Sequence, residues 1–155
     1  MRLFRIAPKK FGADLTGAGA RLVGGRWTPK GVPAVYTSES APLAALETLV
    51  HQPVDMVPNR IVLMEIELPD DAGVEVVELS RLERAWNIYP FGTATVKTGE
   101  AWVKDGRTVA LKVPSAIMPY GRGWNFVLNP MHPEFSRVKV IGLEPFTFER
   151  RLLKR

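Results

Sequence analysis

Three residues of the N-terminal third have types and spacing that could do chemistry. Arg26 follows Gly24-Gly25, Tyr36 ends an apolar stretch ten residues later, and Glu47 sits among leucines and alanines eleven residues beyond that. A guanidinium presented by glycines suits bidentate contact with phosphate, because the glycines let the backbone approach an anion closely. A carboxylate inside an apolar stripe needs a partner, since burying an unpaired charge costs several kcal/mol. Tyr36 could stack on a flat ring or hydrogen-bond a ribose. Together the three describe a pocket for a phosphate-containing nucleotide. Each also has a plainer explanation. Glu47 could lie at the stripe edge and pair with His51 along a helix, Arg26 could be a surface charge on a glycine turn, and Tyr36 a half-buried strand aromatic.

Ser115 follows Val113-Pro114 at the expected end of a strand, where binding residues often project. No Gly-x-Ser-x-Gly elbow surrounds it, so it is not read as a nucleophile. With only His51 and His132 and no cysteine, the chain has no zinc pattern and no disulfide, and no metal is expected. Arg5, at the end of the first expected strand, is a second basic residue near the start of the chain.

The elements that must position these residues follow from periodicity. Residues 2–6 read as a strand, 7–32 as a long Gly- and Pro-rich functional loop, and 33–37 as a short strand. A helix is expected over 40–51, capped by Ser38 or Ser40, with Pro42 in its first turn and Pro53 after it. Leu43, Leu46 and Val50 should form its buried stripe, with Glu47 inside it. Residues 60–68 alternate as a half-buried strand, and 74–79 as a shorter one. Helical pieces fall within 80–106, including one at 96–104 with Gly106 as C-cap. Further strands are expected at 108–113, 124–128 and 136–141, with a last one at 145–148. This is not the regular strand–helix repeat of a dinucleotide-binding fold. The expectation is α+β, a mixed central sheet with flanking helices, in one domain over 1–155.

Composition narrows the function classes. The apolar fraction is 46% and the charged fraction 24%, ordinary for a globular domain with a real core. The net charge of +5 is uneven: +6 over residues 1–30, −8 over 31–78 and +7 over 79–155. That gives an acidic and a basic face, read either as solvated surface or as a basic cleft. The bases are scattered and no nucleic-acid motif is visible, so direct DNA or RNA binding is disfavoured. No apolar run approaches a membrane span and no signal-like segment opens the chain, so a cytoplasmic location is expected.

Several segments, in order, resemble the RES-domain family, the toxin halves of bacterial toxin–antitoxin pairs. Gly24-Gly25-Arg26-Trp27, Gly31 and Val35-Tyr36 are similar to its arginine motif. Ala44-Ala45-Leu46-Glu47 is similar to its glutamate motif, and Val113-Pro114-Ser115-Ala116 to its serine motif. Gly99-Glu100-Ala101-Trp102, residues 125–133 and residues 146–152 extend the likeness over nearly the whole chain. Thr28 departs from the asparagine often found after the tryptophan. The resemblance implies an ADP-ribosyltransferase-like fold whose central cleft takes NAD+ as substrate. It implies cleavage of the nicotinamide–ribose bond by hydrolysis or phosphorolysis, or, as the alternative, transfer of ADP-ribose to a protein. In that scheme Glu47 supports charge at the ribose, and Arg26 and Arg5 contact phosphates. Tyr36 meets the nicotinamide or its ribose, and Ser115 holds the ribose or orients Glu47. The implied partner is an Xre-type antitoxin that blocks the cleft and carries the only contact with DNA. A homodimer is also compatible with the family, whereas a membrane partner is not expected. A non-catalytic nucleotide-binding module remains the competing class.

Overall fold

The computed structural model describes residues 1–51 and 60–153. The expected helix stop at Pro53 lies outside the described residues. In chain order the elements are β1 (Arg2–Pro8), α1 (Ala18–Val23), β2 (Val35–Ser38), α2 (Ala41–His51), β3 (Ile61–Glu67), β4 (Val74–Val76), α3 (Thr93–Asp105), β5 (Ala110–Pro114), β6 (Trp124–Leu128) and β7 (Lys139–Phe146). The strands form one sheet in the order β4-β5-β6-β2-β1-β3-β7. Only β4 and β5 run parallel; the other neighbours are antiparallel. The fold is therefore α+β with a mixed central sheet, as the irregular alternation of strands and helices implies.

Strand parity divides the core. Leu3, Val35, Met64, Ile66, Phe126 and Leu128 pack together on one side. Trp27, Trp102, Leu111, Val113 and Val127 pack on the other. Successive side chains of a strand point to opposite faces, so Phe126 and Val127 serve different clusters. Trp27 and Trp102 are almost completely buried, and large aromatics of this kind contribute roughly 4–6 kcal/mol each by area removed from water. Trp102 Nε1 donates to Thr108 Oγ1 at 2.8 Å, which satisfies its one polar atom.

The sheet is not uniformly zipped. β1 pairs with β3 from Arg2↔Glu67 to Pro8↔Ile61, but with β2 only at Phe4↔Ser38. Beyond that position β1 and β2 separate, and α2 packs over both.

Three expectations need correction, and one alternative is resolved. The 7–32 segment is not all loop: α1 forms within it, between Gly17 and Gly24, both at positive φ. The α2 stripe is not Leu43–Leu46–Val50; Leu43 and Ala44 are buried, whereas Leu46 and Val50 are 42% and 52% exposed. Of the two candidate caps, Ser40 Oγ accepts from Leu43 N at 3.4 Å, and Ser38 faces elsewhere. The two expected C-terminal strands are one, β7, which runs through Pro145. As an edge strand it can carry a proline that a central strand could not.

Candidate active site

Where β1 and β2 separate, a cleft of about 700 Å³ opens. That is within the range of pockets that take small-molecule ligands. Glu47, Thr48 and His51 of α2 line it, with Gly24, Gly25 and Arg26 from the loop after α1. Tyr36 and Ser38 of β2 and Asn125 of β6 line it further, as do Asn87, Tyr89 and Phe91 from the segment before α3. Three long-separated regions therefore meet here, residues 24–51, 87–91 and Asn125, and only the first had been tied to chemistry by the sequence.

Glu47 is firmly held. Its side chain is 19% exposed. Oε1 accepts from Ser115 Oγ at 2.7 Å and from Asn125 Nδ2 at 2.6 Å. Oε2 stands 3.8 Å from His51 Nε2, one helical turn on. The helix pair with His51 and the contact with Ser115 thus coexist. Ser115 is buried, and its Oγ accepts from the backbone N–H groups of Ile117 and Met118, each at 3.3 Å. With both acceptor directions used, its hydroxyl hydrogen is directed at Glu47.

Tyr36 of β2 braces the loop that carries Arg26. Gly25 and Thr28 close a tight antiparallel bridge, and the Tyr36 hydroxyl accepts from Trp27 N at 3.1 Å and lies 3.0 Å from Thr28 Oγ1. Thr28, the departure from the family pattern, therefore touches the tyrosine directly. A Cβ on Gly25 would fall 2.5 Å from that hydroxyl, so only glycine fits there. Burial raises the Tyr36 pKa, opposed by these hydrogen bonds and by Arg26. The Arg26 guanidinium donates to Trp86 O at 2.6 Å and Ile88 O at 3.0 Å, and lies 5.5 Å from the Phe91 ring centroid. Burial lowers its pKa, while Glu47 and Tyr36 pull it back up.

Arg5 also lines the cleft, and burial lowers its pKa, with Asp14 opposing. Its Nη1 donates to Asp14 O at 3.2 Å. Arg5 is in register with Met64, and strand parity puts it with Leu3, on the face opposite Phe4 and Ser38. It therefore approaches the cleft from the gap between β1 and β2 rather than from the Glu47 side.

Asn125, Ser38 and the 86–91 segment escaped the sequence reading. For Asn125 a signal existed: it shares strand parity with the buried Val127 in an otherwise apolar strand, so its amide must face something polar. The 86–91 segment carried no periodicity that could place it. Among the described residues, no cluster of three or more potential metal ligands occurs.

Fold and cleft together define a small α+β domain with an anchored carboxylate and an arginine facing one ligand-sized pocket. The RES domain model matches residues 2–149. A protein named Toxin Res from Pseudomonas putida is 41% identical over 154 residues, covering 98% of this chain and 99% of that one. Another Toxin Res, from Photorhabdus laumondii, is 35% identical over 156 residues, covering 99% and 98%. A Sphingobium protein named Prs ADP-ribosylating toxin is 37% identical over 144 residues, covering 92% and 88%. The chain belongs to the RES-domain family. Its fold is shared with a chain of the Mycobacterium tuberculosis MbcT–MbcA toxin–antitoxin complex, at a TM-score of 0.73 and 21% identity over 94% of this chain and 84% of that one.

Proposed function

We propose that this protein is the toxin of a toxin–antitoxin pair and that it arrests growth by consuming NAD+ at the nicotinamide–ribose bond. The observation that carries this reading is the anchoring of Glu47: two donors hold one carboxylate oxygen in a half-enclosed cleft. In the reaction the C1′–N bond breaks and its electron pair moves to the pyridinium nitrogen, releasing neutral nicotinamide. Positive charge develops on the ribose, and a fixed carboxylate stabilises it better than reorienting water does. Water or phosphate then bonds to C1′ and gives up a proton. Arg26 takes the pyrophosphate, Tyr36 packs against the nicotinamide ribose, and Arg5 adds positive potential from the gap between β1 and β2. Ser115 acts through Glu47. The names of the Res relatives and the fold shared with a toxin–antitoxin complex support the wider assignment, including an antitoxin partner, which we place over the cleft. We extend it to an Xre-type antitoxin as the sole contact with DNA, to a homodimeric toxin and to a cytoplasmic location.

A second reading, transfer of ADP-ribose to a protein, is favoured by the name of the Sphingobium relative. One experiment separates them. Pure protein is incubated with NAD+, with and without phosphate and with cell lysate, and the products are identified by mass spectrometry. Free ADP-ribose or its phosphorylated form supports the first reading; label on a protein supports the second. E47Q, with its fold checked by circular dichroism, should lose at least about 100-fold in turnover. Wild-type rates in that variant would remove Glu47 from the chemistry.

A further inference from the structure

We propose that Asn125 is a positioning residue for Glu47 and that Ser38 sets the direction of its amide. This rests on the reading of Glu47 as the residue that supports charge at the ribose. Asn125 lies in register with Ser38 on β2 and with Val113 on β5, so its side chain projects on the same face as the Ser38 hydroxyl. Ser38 is buried, and its Oγ donates to Asn125 Oδ1 at 2.7 Å. The two ends of an amide are told apart by their partners. With Oδ1 taken by Ser38, Nδ2 is turned to Glu47 at 2.6 Å. The reverse orientation would press Oδ1 against a carboxylate oxygen.

The last torsion of a glutamate is broad and roughly two-fold, so helix α2 alone does not fix the carboxylate plane. Here it is fixed from two strands at once, by Ser115 after β5 and by Asn125 on β6. Both donors meet Oε1. Oε2 is left on the side of His51, where the carboxylate borders the cleft. Ser38 is thus the far end of a four-residue relay, Ser38–Asn125–Glu47–Ser115. Asparagine is required at its centre because it must accept on one side and donate on the other. Ionised aspartate has the same shape and can only accept.

The test uses the full chain and the variants N125D, S38A and S38T, each with its thermal melt recorded. N125D should lower kcat for NAD+ cleavage roughly 100-fold, the scale on which misplaced catalytic groups act, with KM within about threefold of wild type. S38A should lower kcat several-fold, and S38T, which keeps the hydroxyl, should restore it. A role in stability alone would not split kcat from KM in this way. N125D turning over within threefold of wild type, or kcat and KM failing together, would overturn the proposal, as would S38T as slow as S38A. A readout without substrate stands beside these. In the ¹⁵N spectrum of the wild type, one Asn125 side-chain amide proton should lie far downfield and return to its ordinary position in E47A. If the wild type leaves NAD+ intact while that proton is displaced, the substrate reading fails and the positioning of Glu47 holds. If the proton is undisplaced, the positioning claim fails whatever the substrate.

Discussion

Replacing Gly99 with alanine sets two effects of opposite sign against each other. Gly99 lies inside α3, where alanine is favoured over glycine by about 1 kcal/mol on propensity. The alanine Cβ, however, would sit 1.6 Å from the Trp27 carbonyl oxygen and 2.7 Å from its carbon. Real Cβ contacts stay beyond 3.0 Å, so helix and loop must part by at least about 1.4 Å, the difference between the two distances. The obstacle is backbone, so no rotamer change relieves it. Parting them loosens the cluster that holds Trp27 and Trp102, two tryptophans only 3% and 2% exposed. Overpacking of this kind costs about 1–3 kcal/mol and sometimes more. With the whole cluster strained, the upper part of that range applies, and the net after propensity is a loss of about 2 kcal/mol. For a chain of this length that lowers the melting temperature by about 4–8 °C. Trp27 N also holds the Tyr36 hydroxyl, so NAD+ turnover should fall together with stability. Thermal or urea unfolding of G99A against wild type measures the first and nicotinamide release the second. A variant that melts at or above wild type would refute the reasoning, because propensity would then outweigh the close approach of α3 to the arginine loop.

Two further outcomes follow from other contacts. R26K keeps the charge but cannot span the Trp86 and Ile88 carbonyls with a planar fork. Losing one charged hydrogen bond, about 1.5–3 kcal/mol, should speed hydrogen exchange in the 86–91 segment roughly tenfold or more, and unchanged protection would contradict it. Asp14 accepts from Thr16 N and Thr16 Oγ1, and the Thr16 side chain is the main cause of its lowered pKa. A depressed folded value means the stabilisation is fully present above the ordinary value of 3.8 and is lost as pH falls through the folded one. D14A should therefore be less stable than wild type at pH 7, by less than about 1 kcal/mol for so exposed a group, and the gap should narrow in strong acid. A gap independent of pH would assign the effect to something other than this carboxylate.

The parts of the fold legible in the sequence are those set by local pattern. The alternation at 60–68 is β3, and Ser40 with Pro42 opens α2 as its capping chemistry requires. Gly106 at φ 60 closes α3 as a left-handed C-cap. What failed was set by tertiary contact. Leu46 and Val50 look like core on a helical wheel, yet α2 turns Leu43 and Ala44 inward and leaves Leu46 exposed and Val50 lining the cleft. α1 is six residues long and starts and stops at positive-φ glycines, too short for a period to show. In the site, Glu47 was conspicuous because a carboxylate stood among apolar residues. Its partners were not equally visible. Ser115 and Asn125 lie 68 and 78 residues away, and Ser38 is joined to Asn125 across 87. Only sheet register brings them together, and register is a property of the whole β5–β6–β2 ladder rather than of any window of sequence.

The occupied guanidinium of Arg26 has a thermodynamic corollary. Two backbone carbonyls already take one N–H from each terminal nitrogen, as two phosphate oxygens would in a bidentate contact. An anion that takes Arg26 by that same edge, as proposed above, binds by exchange: it must wait for, or force, the release of residues 86–88. The measured dissociation constant is then the intrinsic one divided by the fraction of molecules in which those carbonyls have let go. Each 1.4 kcal/mol that holds the segment shut weakens apparent affinity about tenfold. The resting protein in this way carries its own competitor for the ligand, and mutations in the 86–91 segment that loosen it should raise affinity without adding a single contact.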